Sequence, residues 1–408
     1  MLNELPLTSS TAVARIVHYL RQRLVGKTIA NAAAIDDNSV FGKVGTSGKE
    51  VEEALKGKKV ISAGSQGKYF WITLDKPPHL VMHFGMTGWV HINGERTAYT
   101  NYYKKMKESD IAQWPPKFWK FHLTTDDDDD DAPVQVAFTD ARRFGRVRLV
   151  HCPGDSIRRH SPLVENGPDP VVDKGVFTES YLRDKMKSRH VPVKAFLLDQ
   201  AMISGIGNWV ADETLYHARL HPEQYSDTFS DAEIKRLHEA VRYVCQLAVD
   251  KLGDSDQFPD HWLFKHRWGK GDKGAATKLP SGEKIAFITV GGRTSCYAPG
   301  VQKKTGAVVP GAKAEPVIEK SGSGKKSKAV KKEPKQEDDD DDDEEEEGEV
   351  EEKKPKRSRK QAAAAIKEEA EEPDDMSPPA KKRRGKAAAP VKEEVVEEGR
   401  RRSTRLRK

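Results

Sequence analysis

Within residues 191–224, VPVKAFLLDQAMISGIGNWVADETLYHARLHPEQ, two glycines, Gly205 and Gly207, stand just ahead of Asn208 and an apolar run with helical spacing. Glycine lets a backbone approach a partner closely, and the N–H groups that open a helix attract an anion. Lys194 precedes Phe196, Leu197 and Leu198, so two short helices are predicted to meet at the glycine turn. The chemistry open to such a set is the holding of a phosphate. The other reading is a glycine cap that joins two helices in an unrelated fold, and the glycines alone do not separate the two.

Further cations and wedge-shaped side chains lie elsewhere in the chain. Lys68 follows Gly67 in GSQGKYFWITL, just ahead of an apolar strand, where an edge-strand lysine is common. An unperturbed lysine amine is protonated near neutral pH, which suits an anion better than nucleophilic work. Met86 lies in HFGMTGWVHI, and Arg142 and Phe144 lie in FTDARRFGRV. Taken singly these three are a core methionine, a surface arginine and a core phenylalanine. Arg293 follows Gly291 and Gly292 at a predicted turn.

The order and spacing of Lys194, Asp199, Gly205, Gly207, Asn208, Glu213, Leu215 and His221-Pro222 resemble the helix–two-turn–helix module of the formamidopyrimidine-DNA glycosylase (Fpg/Nei) family. The resemblance extends from about residue 13 to about residue 304. It implies that Lys194 and Asn208 bind phosphates flanking a damaged nucleotide, that Lys68 contacts the phosphate near the attacked sugar, and that Arg293 grips phosphate across the lesion. Glu213 is left as a structural or phosphate-network carboxylate. Met86, Arg142 and Phe144 match the family trio that fills the gap when a nucleotide is flipped out. The physics asks for such a set, because an extruded base leaves unstacked neighbours and an orphaned partner. The implied activity is that of a base-excision-repair glycosylase and AP lyase acting on oxidised bases in duplex DNA. Members that carry zinc place two cysteine pairs about the terminal hairpin. Here only Cys296 stands there, so the likeness is to the zincless eukaryotic branch, which tends to favour heavily oxidised purines such as hydantoins, and no cofactor is expected.

The start of the chain departs from the family pattern. Family enzymes begin with a Pro-Glu pair exposed by removal of methionine, and the proline amine attacks the sugar carbon. A terminal amine suits that task because its reference pKa is about 8, well below that of lysine. Here Met1 precedes Leu2, and Glu4-Leu5-Pro6 only superficially resembles the family opening. Measured back from Val13, the family start falls near Leu7-Thr8-Ser9, where no Pro-Glu pair occurs. Residues 1–12 are therefore expected to come from an alternative or mispredicted start, and the nucleophile is missing from the chain as written. That keeps a second function class open: a non-catalytic damaged-DNA-binding protein tethered to chromatin. A third is a nuclear scaffold with no preference for lesions.

The elements that must position these groups form an α+β chain with five expected segments. An atypical N-terminal segment, 1–12, precedes a helix-and-β-sandwich domain, 13–160. Val13, Ile16, Val17, Leu20 and Leu24 mark one helical face, which Gly26 ends. Closely spaced β-like runs at 59–63, 69–74, 80–84, 89–92, 118–123, 134–138 and 146–150 argue for a sandwich rather than a parallel sheet. The acidic run 126–131 lacks EF-hand spacing and reads as a solvated loop. A helical helix–two-turn–helix domain, 161–265, contains a helix at 178–187 and a capping box, Ser230 to Glu233, that opens a long scaffold helix carrying a buried Cys245. A zincless finger hairpin, 266–305, pairs 284–290 with 293–297 around Gly291-Gly292.

Composition bounds the rest. The 408 residues are only 36% hydrophobic, with a mean hydropathy of −0.74, and aromatic residues vanish after about Lys304. Segment 306–408 is read as a disordered charged tail, with acids at 337–352 and basic clusters at 353–360, 381–386 and 400–408. Such clusters suit nuclear import or phosphate binding. Three scattered cysteines exclude a disulfide framework or a four-cysteine zinc site. No run is apolar enough to span a membrane and no signal peptide opens the chain. The expected protein is a nuclear monomer whose partner is damaged double-stranded DNA.

Overall fold

The apolar spacing at Val13, Ile16, Val17, Leu20 and Leu24 builds helix α1 (Ser10–Arg23), and all five side chains are buried in the core of a β-sandwich. The helix opens three residues before that apolar face. Thr11 and Ala12 are already in the core, so the expected boundary after residue 12 falls inside α1. The computed structural model describes residues 10–98, 113–126, 132–268 and 278–306. All of these lie within one unit, Met1–Asp343. The first nine residues, the acidic run beyond Asp126 and the tail after Gly306 fall outside the described residues.

Among the described residues the sandwich has eight strands: β1 (Ile29–Ala34), β2 (Val60–Gln66), β3 (Tyr69–Leu74), β4 (His79–His83), β5 (Trp89–Ile92), β6 (Trp119–Thr125), β7 (Gln135–Thr139) and β8 (Arg146–Val150). They form two four-stranded sheets, ordered β2-β3-β4-β8 and β1-β6-β7-β5, and every pair is antiparallel. Phe70, Phe84, Phe121 and Phe138 stack between them beside Leu80, Met82 and Val147.

Two elements were not predicted. Strand β1 reads IANAAA, a composition with little β propensity, and it forms at the sheet edge by pairing with β6. Helix α2 (Gly48–Leu55) starts where the Ser47 hydroxyl accepts from Glu50 N, and it packs Val51 and Leu55 into the same core.

The second layer is helical. Helix α3 (Glu179–Lys187) is capped by Thr178, α4 (Val193–Leu198) leads into the glycine turn, and α5 (Asn208–Ala218) leaves it. Helix α6 (Asp231–Asp250) carries the predicted capping box and buries Cys245. Their apolar faces meet in a separate core that includes Phe177, Phe196, Trp209, Leu237, Val244 and Trp262. The hairpin of β9 (Ala286–Val290) and β10 (Arg293–Tyr297) turns through Gly291 and Gly292, and it seats Cys296 against Leu263 and Leu279.

Candidate nucleic-acid interface

Strand register brings the scattered motifs of the sandwich to one place. At one end of the β2-β3-β4-β8 sheet, Gln66 pairs with Tyr69, Tyr69 with His83, and His83 with Arg146. Lys68 enters β3 at this end, the Gly85–Gly88 loop with Met86 leaves β4 there, and Arg142–Gly145 leads into β8 there. The two loops are joined directly. Arg142 N donates to Thr87 Oγ1 at 3.1 Å, and Thr87 Oγ1 donates to Asp140 Oδ1 at 2.5 Å. Buried Asp140 also accepts from Arg142 N at 3.2 Å and from Gly145 N at 2.6 Å, so one carboxylate shapes the whole turn.

On that turn Phe144 projects outward, 38% exposed, with the Arg142 guanidinium 5.1 Å from its ring centroid. Expected as a core phenylalanine when taken singly, it is instead a surface aromatic backed by a cation. Met86 is half-buried, and its neighbour Gly85 lies against this loop, where an added Cβ would stand 2.4 Å from Phe144 C.

The β2–β3 turn reaches across to the helical layer. Gly67 has φ +59°, a backbone that side chains rarely adopt, and a Cβ placed there would stand 2.7 Å from Ser204 Cβ and 2.9 Å from Gly205 N. Its N–H donates to Asp169 Oδ2 at 2.8 Å. The intervening strand of chain is bound to the helical side, with Gly167 N on Gln200 O at 2.9 Å and Ser204 N on Pro168 O at 3.2 Å. Burial raises the Asp169 carboxyl, against which the backbone donors of Val171, Gly67 and Val172 pull it down. Lys68, 9% exposed, is the residue that follows this contact of Gly67 with the Ser204–Gly205 turn.

At the glycine turn Gly205 has φ +93° and its N–H donates to Gln200 Oε1 at 2.9 Å. Gly207 has φ −99° and ψ −179°, extended backbone open to any residue, and it is the N-cap of α5. Asn208 Nδ2 donates to Thr294 O at 3.1 Å, which fastens the start of α5 to the hairpin next to Arg293. Glu213 is structural: its oxygens accept from Leu263 N at 3.1 Å and Phe264 N at 2.7 Å.

Lys194 differs from its expected role in a phosphate-facing cleft. It is 0% exposed, and its ammonium donates to Asn208 O at 2.8 Å and to Asp212 Oδ1 at 2.5 Å. Asp212 in turn accepts from Arg267 Nη2 at 2.8 Å and Cys296 N at 3.0 Å. The lysine therefore props the first turn of α5 from beneath, and the charge it carries is matched inside the protein. Neither Asp212 nor Arg267 was singled out from sequence. The only signal was that Asp212 stands one helical turn after Asn208.

The arrangement thus places Lys68, Met86, Arg142 and Phe144 along one sheet end, with Gly205 against it, and ties Asn208 to the strand that begins at Arg293. Burial sets Cys296 apart from reactive thiols: it raises the thiol to about 12, with Asp212 adding to the effect. Among the described residues no group of His, Cys, Asp and Glu is placed to hold a metal ion.

The N-terminal-domain model of formamidopyrimidine-DNA glycosylases matches residues 10–147, and the H2TH-domain model of the same enzymes matches residues 166–259. The chain is 38% identical over 287 residues to a formamidopyrimidine-DNA glycosylase of Arabidopsis thaliana, across 70% of this chain and 68% of that protein. It is 31% identical over 265 residues to the Pelotomaculum thermopropionicum protein of that name, across 62% of this chain and 85% of the relative. Its fold is similar to that of a Lactococcus lactis formamidopyrimidine-DNA glycosylase solved non-covalently bound to DNA containing an AP site, with a TM-score of 0.57 at 24% identity, covering 72% of this chain and all of that one. With both domains matched in order and the glycine turn seated on the sandwich, this chain belongs to the formamidopyrimidine-DNA glycosylase family.

Proposed function

We propose that this protein is a base-excision-repair DNA glycosylase and AP lyase that removes oxidised bases from duplex DNA. The observation that carries this reading is the single sheet end at which Lys68, Met86, Arg142 and Phe144 meet, abutted by the Gly205 turn through Gly67. A duplex bent against that end loses one nucleotide from its stack. Phe144 wedges between the bases left behind, Met86 occupies the void, and Arg142 hydrogen-bonds the orphaned partner. Lys68 and Arg293 supply positive charge to the phosphates, and the second N–H of Asn208 Nδ2 and the glycine-turn backbone supply donors. In a chain that begins with the Pro-Glu pair, the N-terminal secondary amine would attack C1′ of the sugar; the base leaves, an imine forms, and the flanking phosphates are eliminated. Pairs of the Pro-Glu type belong immediately ahead of α1, in place of Thr8 and Ser9. The basic clusters after residue 352 support nuclear targeting and chromatin partners for a monomeric chain.

Borohydride trapping on duplexes that hold a hydantoin or an abasic site tests this. A chain initiated as Met-Pro-Glu with the pair at positions 8 and 9 is expected to form a covalent adduct and release the base, and Lys68→Ala is expected to slow release at least about tenfold. Tight, lesion-selective binding by that chain with neither adduct nor base release would overturn the enzymatic reading in favour of a damage-binding protein.

A further inference from the structure

Arg143 stands between Arg142 and Phe144 but points elsewhere. Its backbone is left-handed, φ 64°, and its side chain turns back to the sandwich. There Nε lies 3.0 and 2.9 Å from Asp37 Oδ1 and Oδ2, and Nη2 lies 2.9 Å from Oδ1. Asp37 belongs to the turn after β1, far from this loop in sequence, and is 8% exposed. It is immobilised in its own right: it accepts from Ser39 N at 2.9 Å and Val40 N at 3.3 Å, and Lys120 Nζ on β6 approaches it at 2.8 Å. The same turn is tied to β8, where Val147 N donates to Val40 O at 3.2 Å.

The wedge loop is thus held from three directions. Asp140 binds it from within, and Arg146 Nη1 binds the carbonyls of Phe144 and Gly145 at 2.9 Å each. Asp140 and Arg146 hold the loop through its backbone, Arg146 Nη1 also reaching Arg143 O at 3.4 Å, whereas Asp37 holds it through the Arg143 side chain. Burial alone would raise the Asp37 carboxyl, but the hydrogen bonds from Arg143 and Lys120 hold it down to about 2, so the clasp is ionic throughout the neutral range. A bidentate guanidinium–carboxylate contact is directional, and it fixes the loop's orientation as well as its position.

We propose that Asp37 is a positioning residue for base extrusion: by clasping Arg143 it turns the crest of the loop so that its two neighbours, Arg142 and Phe144, are already aimed at the duplex. The inference rests on the wedge role given to those residues above. A preset wedge enters the stack without first being ordered, so the clasp acts on insertion and lesion affinity more than on folding.

The test uses the full chain and a duplex in which 2-aminopurine is stacked beside a tetrahydrofuran abasic analogue, whose emission rises when the neighbour is displaced. Phe144→Ala serves as the wedge reference. Asp37→Asn and Arg143→Gln are each expected to reduce the rise in emission and to weaken binding about tenfold, with the double variant no worse than either alone. Lys120→Gln, which removes the lysine from Asp37 and leaves the Ser39 and Val40 N–H donors and the Arg143 clasp in place, is expected to match the unmodified chain in both readouts. The Arg143 side chain is half exposed, so Arg143→Gln keeps the test valid if Asp37→Asn fails to fold. Unchanged emission in Asp37→Asn or Arg143→Gln alongside a loss in Phe144→Ala would overturn the clasp while sparing the wedge. Losses that add in the double variant would make Arg143 an independent phosphate contact and also overturn it. No loss in Phe144→Ala would sink the wedge reading itself, and this inference with it.

Discussion

Asp212 sits where three parts of the chain meet: Lys194 from α4, Arg267 from the segment after the helical layer, and Cys296 N from the hairpin all donate to it. Both cations are buried, and a carboxylate between them is what makes their burial tolerable. Asp212→Asn leaves the two charges without their counter-ion. The expected loss is about 3–5 kcal/mol, read as a lower urea midpoint at unchanged slope. Lys194 was legible in the sequence as a cation at the right distance from the glycine turn. Its depth was not legible, because a residue type and a spacing do not state whether a neighbouring turn will cover the side chain. Phe144 is the reverse case: an aromatic that, taken singly, reads as core and that the Asp140 turn presents outward.

The junction between layers depends on a two-residue turn. Gly67 combines a left-handed backbone with contact to Ser204 and Gly205, so Gly67→Ala meets both conformational strain and a clash with the opposing loop. Its expected cost is about 2–4 kcal/mol, together with a loss of Lys68-dependent base release. Gly26→Ala is the control: φ is +92° there but nothing lies within 4 Å of the added carbon, and the expected cost is strain alone, about 1 kcal/mol. Equal urea midpoints for the two variants would mean that the turn does not bear on the helical layer. Elements with a strong period were legible before the structure: α1, α6 with its capping box, and the strands from β2 to β8 lie within a few residues of their predicted spans. Strand β1 was not, since IANAAA lacks a sustained alternation, has Ile29 as its one β-branched residue, and owes its conformation to its partner β6.

Across the whole molecule, basic and acidic residues balance after Gly306, so the net charge of +6 arises from the residues before it. Long-range attraction to a polyanion depends on that net charge, and phosphate contacts set the salt dependence of binding. A chain ending at Gly306 is therefore expected to bind a lesion duplex with the same slope of log affinity against log salt as the full chain. Arg293→Gln is expected to lower that slope by about one. The shortened chain, fused to a fluorescent reporter, is expected to lose nuclear accumulation; retained accumulation would place the import signal elsewhere, and a changed slope would give the tail a direct part in DNA binding. The sequence by itself determined a β-sandwich layer, the helical layer with its glycine turn and the terminal hairpin, because periodicity, capping and turn chemistry are local. Only the tertiary structure decided that one row of the sheet gathers Lys68, Met86 and Phe144, that Lys194 lies under α5 facing Asp212, and that Asp37 reaches Arg143. Those outcomes depend on strand register and on layer contacts between residues far apart in the chain, and no local pattern encodes the distance between them.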